Sequence, residues 1–122
     1  MTFKINGTYV LRYDGASVTG ASSTNIALGS GAAGGATTGT YNTALGANSL
    51  AFNNTGIQNT AVGYAALYSN YSGSYNVGIG VNALYVNQTG RYNVAVGVTT
   101  LRYCVSSERN TAVGYEIGRA HV

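Results

Sequence analysis

Polar and apolar residues recur along most of this chain with a period of 17 residues. We number the asparagine that begins each period as position 0, and these residues are Asn25, Asn42, Asn59, Asn76, Asn93 and Asn110. Position 4 is always glycine, at Gly29, Gly46, Gly63, Gly80, Gly97 and Gly114. A short fixed period predicts stacked structural units rather than a globular domain with a single centre.

Positions 1 to 5 of each repeat predict a short β-strand, because residue types alternate along them. Positions 1, 3 and 5 share one face, and position 3 is always Leu, Val or Ile. Positions 2 and 4 share the other face, which holds only alanine and glycine. Such a face gains little from burial, so it predicts a close approach of another backbone. We therefore expect both faces to be buried, one by aliphatic packing and one by close approach.

The second half of each repeat predicts another strand and a turn. Position 8 supplies a second apolar column, placed on a short strand that follows a corner: Leu50, Leu67, Leu84 and Leu101. Positions 11, 13 and 14 read Asn-x-Thr/Ser-Gly in three repeats, a combination typical of turns. Each repeat is then one coil of strand, corner, strand and turn. The predicted fold class is all-β, a parallel β-solenoid or β-roll of 17-residue coils.

The position-0 asparagines are expected to stack as a ladder of side-chain amides along the rod. We favour this structural role over a ligand site on the same residues. Cys104 stands where other repeats have asparagine, so it is interpreted as a tolerated substitution. As the only cysteine, it can form no disulfide within the chain.

The chain divides into four predicted segments. Residues 1–15 read as a strand pair, a β-hairpin around Asn6-Gly7, and residues 16–24 as a polar connector. Residues 25–116 hold the six repeats, of which the sixth is truncated. Residues 117–122, IGRAHV, read like the translation of a sequencing adapter, so we expect them not to be native. The chain would then be a metagenomic fragment.

Composition offers little to catalysis or to charged partners. Only 7% of residues are charged, and the basic residues are scattered, which disfavours nucleic acid as a partner. No run is long and apolar enough for membrane insertion. The carboxylates Asp14, Glu108 and Glu116 form no acid–base pair, and the single histidine, His121, lies in the suspected adapter. We expect no enzyme activity, cofactor or metal site, and the G-x-G-x-x-G letters of residues 29–34 lack the strand–helix context of a dinucleotide site.

Tyrosine and arginine residues near the turns are the remaining candidates for binding. A glycan-binding stripe is possible at Tyr68, Tyr75, Tyr85, Tyr92, Arg91 and Arg102. The alternative, which we favour, is that these tyrosines cover an interface between chains or suit strands by propensity. An ice-binding face is disfavoured because Ile26, Val77 and Val94 interrupt the threonines of position 1.

The repeat phrases GTYNTALGANSL, GIQNTAVGYAAL, GSYNVGIGVNAL and GRYNVAVGVTTL resemble the head repeats of trimeric autotransporter adhesins. They resemble still more closely the NTAVGYxAL-type repeats of phage tail-fibre proteins. The opening FKINGTYVLRYDG looks like the strand pair that precedes such repeats in tail fibres. The resemblance implies a homotrimer in which three rolls, left-handed in the adhesin heads, pack around a threefold axis.

The resemblance also implies a function. We expect this chain to be a structural and attachment segment of a trimeric fibre in a virion. The fibre that the repeats favour is a phage tail fibre involved in host-cell attachment. Its partners would be other copies of the chain and a glycan or protein of the host-cell surface. One alternative is the head domain of a bacterial surface adhesin. A second alternative is a stand-alone β-solenoid that binds ice or glycan.

Overall fold

The chain folds into a β-solenoid whose coils stack through one parallel sheet. The structure, a computed structural model, describes residues 2–5, 8–12, 25–34 and 38–118. Two strands precede the repeats, β1 (Thr2–Ile5) and β2 (Thr8–Arg12). Each repeat then contributes one strand of three residues: β3 (Ile26–Leu28), β4 (Thr43–Leu45), β5 (Thr60–Val62), β6 (Val77–Ile79), β7 (Val94–Val96) and β8 (Thr111–Val113).

The sheet keeps the strands in sequence order, from β1 to β8. Strands β3 to β8 pair in parallel and in register, so each residue lies beside its equivalent 17 residues later. β1 and β2 pair antiparallel, as predicted for the strand pair, and β2 pairs antiparallel with β3 through Arg12 and Ala27. The predicted turn at Asn6-Gly7 and the connector at 16–24 lie outside the described residues.

The interior of the solenoid is thin and is built from three columns, at positions 2, 7 and 8 of the repeat. The position-2 alanines Ala27, Ala44, Ala61 and Ala95 are buried, and Gly78 takes their place in β6. The predicted leucine column at position 8 is confirmed as core, since Leu50, Leu67 and Leu84 are fully buried and Leu101 nearly so. Position 7 is buried as well, at Ala32, Ser49, Ala66, Ala83 and Thr100. The alanines and leucines of the three columns form one continuous apolar cluster along the stack.

Close backbone approach on the Ala/Gly side, which the sequence predicts, is confirmed at position 4. A Cβ added to Gly46 would lie 2.7 Å from the carbonyl carbon of Gly63, and one on Gly63 would lie 2.8 Å from that of Gly80. These glycines also have φ near +125°, for example +122° at Gly63, which L side chains rarely adopt. Position 4 must therefore be glycine for two independent reasons.

The prediction of a second strand at position 8 is wrong. The leucines lie in a turn, with φ of +49° to +50° at Leu50, Leu67, Leu84 and Leu101. The only bridges on this side of the described coils join Ser69, Val86 and Tyr103 at position 10. Positions 6 and 16 are also left-handed in successive coils, for example Asn48 at +58° and Tyr75 at +60°. Each coil is therefore bent by the glycine at position 4 and by left-handed residues at positions 6, 8 and 16. The bends at positions 6 and 8 replace the predicted second strand.

The expectation that both strand faces are buried is also wrong for this chain by itself. Positions 1 and 3 of each strand point away from the interior, and position 5, in the turn that follows, is exposed or half-buried beside them. Ile26 is 50% exposed, Ile79 is 38% exposed and Val113 is 69% exposed. The interior is only wide enough for alanine on the strand side, so the larger aliphatic side chains are placed outside. We call the surface formed by positions 1, 3 and 5 of the six repeats the aliphatic face.

Gly63→Val tests the close packing at position 4. We expect it to lower the free energy of unfolding by roughly 2–6 kcal/mol, because overpacking and a strained φ each cost about 1–3 kcal/mol. Thr60→Val in the same strand is the matched control, since valine already fills that column at Val77 and Val94. Urea denaturation followed by circular dichroism measures both variants. Equal stability of the two would contradict the close packing of the glycine column.

Candidate functional site

The position-0 asparagines form the expected ladder, and the four inner ones are each bonded to both neighbours in the stack. From Asn42 to Asn110, the backbone N–H of each asparagine donates to the Oδ1 of the asparagine one coil earlier, at 2.8–3.0 Å. Its Nδ2 donates to the carbonyl of position 14 in its own coil, at 2.8–2.9 Å for Asn25, Asn42, Asn59, Asn76 and Asn93. The side chain thus joins consecutive coils and also closes its own coil.

A second ladder at position 11 was not anticipated. Asn70 Nδ2 donates to Asn53 Oδ1 at 2.9 Å, and Asn87 Nδ2 donates to Asn70 Oδ1 at 2.8 Å. These three asparagines are almost completely buried, although the sequence reading placed them in an ordinary turn. The sequence feature that indicates their burial is the exact 17-residue spacing, since a turn exposed to solvent does not require the same residue in successive coils.

The two ladders meet at position 14. The carbonyl of Gly73 accepts one bond from Asn59 at 2.9 Å and one from Asn70 at 2.7 Å, and Gly56 and Gly90 accept the same pairs in their coils. Both lone pairs of each carbonyl are therefore used. A Cβ at Gly73 would collide with Asn70 Oδ1, so this turn also needs glycine.

Cys104 interrupts the second ladder. It is buried where an asparagine would donate to Asn87 Oδ1, and Asn93 Nδ2 reaches that oxygen instead, at 3.2 Å. Burial raises the pKa of the Cys104 thiol, an effect that a hydrogen bond with Ser107 only partly opposes. A buried thiol with a raised pKa is a poor nucleophile, which agrees with its interpretation as a structural substitution.

The tyrosines form two stacks that run along the rod. Tyr68 and Tyr85 lie face to face with ring centroids 4.9 Å apart and planes 3° from parallel, and Tyr75 and Tyr92 do the same at 5.0 Å and 6°. An arginine of the next coil covers each stack, with Arg102 5.4 Å from the Tyr85 centroid and Arg109 5.7 Å from that of Tyr92. Tyr85 and Tyr92 therefore each lie between a tyrosine and an arginine, and one face of Tyr68 and of Tyr75 is covered by a neighbouring ring.

The predicted glycan stripe is consequently divided. The structure places Tyr68, Tyr85 and Arg102 in one column at position 9 and Tyr75 and Tyr92 in another at position 16. Arg91 is exposed, and its backbone carbonyl accepts the N–H of Arg109. The guanidinium of Arg102 is held between the rings of Tyr85 and Tyr103, at 5.4 and 5.2 Å.

A hollow of about 240 Å³ opens where the position-9 stack ends, and sequence reasoning did not identify it. It is lined by Gly31, Gly34, Asn48, Ala51, Phe52 and Tyr68. Phe52 meets Tyr68 edge to face, with centroids 5.1 Å apart and planes at 80°. The signal in the sequence is the replacement of the position-9 tyrosine by Ala51 and Gly34 in the first two coils.

Other chemistry is sparse in the part of the chain that the structure describes. No three His, Cys, Asp or Glu side chains cluster there in a way that could hold a metal ion. Within the same ranges, no helix is long and apolar enough to cross a bilayer. The pair of Glu108 and Arg109, 3.6 Å apart, is exposed and adds little to stability.

Comparison of the chain with protein-family models, with curated proteins and with solved structures gave no match in any of the three. The resemblance to tail-fibre and adhesin repeats therefore stays a prediction that depends on the repeat phrases alone.

Asn59→Ala tests the first ladder. It leaves the backbone N–H of Asn76 without its acceptor in a buried position, which costs roughly 1–3 kcal/mol. Asn54→Ala is the control, because Asn54 is exposed and lies outside both ladders. Its expected effect is within about 0.5 kcal/mol. Thermal unfolding compares the two, and an Asn59→Ala protein as stable as Asn54→Ala would refute the ladder's role.

Cys104→Asn tests the second ladder by completing it. The new amide can donate to Asn87 Oδ1, so we expect stability to rise by about 0.5–1.5 kcal/mol, the net value of one hydrogen bond. Cys104→Ala removes the thiol without adding an amide and should not stabilise the chain. Differential scanning calorimetry of the two variants measures the difference, and a Cys104→Asn protein no more stable than Cys104→Ala would show that the interruption costs nothing.

Proposed function

We propose that this chain is a structural segment of a trimeric fibre of the phage tail-fibre type, part of the virion apparatus for host-cell attachment. The observation that carries the proposal is the aliphatic face. A chain whose interior has no room for valine or isoleucine on the strand side presents these side chains on the outside. Contiguous apolar surface of this kind marks an interaction site.

The partner that best fits the aliphatic face is another copy of the same chain. No charged residue occurs at positions 1, 3 or 5 of the six repeats, so identical faces meet without repulsion. Cross-strand neighbours repeat at ~4.8 Å, and six strands give a strip roughly 25 Å long. Three identical rolls arranged around an axis would keep the same register along that whole length.

The repetition also suits a shaft. Successive coils present similar groups, and only two charged residues, Arg91 and Arg102, fall between Ala16 and Val105. Such a surface transmits force and sets distance, whereas recognition needs a distinctive set of groups. The glycan or protein partner at the host surface, and the place in the virion, follow from the resemblance of the repeats.

Sedimentation velocity tests the proposed assembly. We expect the parent chain to sediment as a trimer, and the double variant Val62→Glu/Val96→Glu to lose assembly because carboxylates would be buried in the aliphatic face. The control Thr55→Glu/Thr89→Glu adds the same charges at exposed turn positions and should stay trimeric. A parent chain that is a monomer with a cooperative melt at low micromolar concentration would overturn the proposal.

A further inference from the structure

The regular tyrosine stack at position 9 ends at Tyr68, whose other close ring contact is the edge-to-face one with Phe52. Tyr85 covers one face of Tyr68, and Arg102 then covers Tyr85. Towards the N-terminal end, the same column continues with Ala51 and Gly34, which carry no ring. The regular stack of planar groups therefore stops at Tyr68, and the hollow lies in the space that further rings would fill.

The lining of the hollow combines two aromatic rings, small residues and one amide. Phe52 and Tyr68 stand at 80° to each other, so they form two adjacent apolar walls. The glycines at 31 and 34 and Ala51 leave the floor free. Asn48 provides the only side-chain amide among the described residues of the lining, and a Cβ at Gly31 would collide with its Oδ1. The floor is therefore kept open by residues without bulk.

We propose that this hollow binds a single neutral pyranose residue of a glycan. The apolar C–H face of a sugar ring packs on an aromatic ring, which places the sugar where the next member of the stack would lie. The amide of Asn48 can donate to one hydroxyl and accept from another. None of the described residues that line the hollow is charged, so they offer nothing to an acidic sugar. The volume, about 240 Å³, is below that of sites for drug-sized ligands and suits one ring.

This inference deepens the proposed function and rests on it in one respect. A shallow site for one ring binds weakly, in the millimolar range typical of few contacts. Three such sites on one fibre, and several fibres on one particle, convert weak binding into useful avidity. The hollow also differs from the rest of the rod, because it lies where Ala51 and Gly34 replace the tyrosine of position 9.

Filling the hollow is the most direct test. Ala51→Tyr extends the stack into it, and the backbone of position 9 already carries tyrosine at Tyr68 and Tyr85. Gln58→Tyr is the matched control, because it adds the same side chain to the position-16 column, next to Tyr75 and away from the hollow. Asn48→Ala removes the amide, and alanine already stands at position 6 in the next coil, at Ala65.

Chemical-shift titrations with methyl glycosides of glucose, galactose and N-acetylglucosamine measure binding, and cyclohexanol serves as an apolar probe of the same ring size. We expect at least one glycoside to bind the parent and Gln58→Tyr equally. Ala51→Tyr should abolish binding, and Asn48→Ala should weaken it about fivefold, as the loss of one modest hydrogen bond would. Cyclohexanol should bind more weakly than that glycoside.

Three results would overturn the proposal: no glycoside binds the parent, Ala51→Tyr binds as the parent does, or cyclohexanol binds as well as every glycoside. Sedimentation of the same samples separates this inference from the proposed function. If the parent is a trimer that binds no glycoside, the proposed fibre stands and the proposed sugar site is refuted. If the parent is a monomer that binds a glycoside and Ala51→Tyr abolishes that binding, the sugar site stands and the proposed fibre is refuted.

Discussion

Hydrogen bonding by buried asparagine side chains is the interaction on which the stack depends. The strands of the coils are three residues long, and the interior of a coil holds little besides two small residues and a leucine, so neither the sheet nor the core is extensive. A single residue, Asn59, is hydrogen-bonded to the coil before it, to the coil after it and to the turn of its own coil. Removing such groups from water is costly unless they are hydrogen-bonded, and the 17-residue period repeats the backbone N–H to Oδ1 bond between position-0 asparagines from Asn25 to Asn110.

The narrow interior determines the outer surface. Because glycine at position 4 brings successive backbones into contact and position 2 admits alanine, the larger residues of the strand are placed on the aliphatic face. The same 17-residue period that aligns the asparagines aligns these aliphatic residues and the tyrosines. An assembly of identical chains would use that alignment directly. The hollow beside Phe52 arises where one column of the alignment ends.

The repeat period, the parallel register, the position-0 ladder and the buried leucine column could be predicted because each produces a residue type that recurs every 17 positions. The conformation of Leu50 and its equivalents could not, since leucine rarely adopts φ near +50° and the hydrogen bonds of the coil impose it. Asn70 was interpreted as an ordinary turn residue, because composition alone does not distinguish an exposed asparagine from a buried one. The hollow depends on Ala51 and Gly34 lying beside Tyr68 in space, which requires the register of the coils.

Hydrogen exchange of the asparagine side chains measures the central claim most directly. In a folded, isotopically labelled chain, the Nδ2 hydrogens of Asn59, Asn70 and Asn76 should exchange as slowly as the backbone amides of β5 and β6, because all of them are buried and bonded along the stack. The side-chain amide of the exposed Gln58 provides the fast reference within the same sample. Exchange of the asparagine Nδ2 hydrogens at the rate of Gln58 would contradict the account, because the ladders would then be open to water.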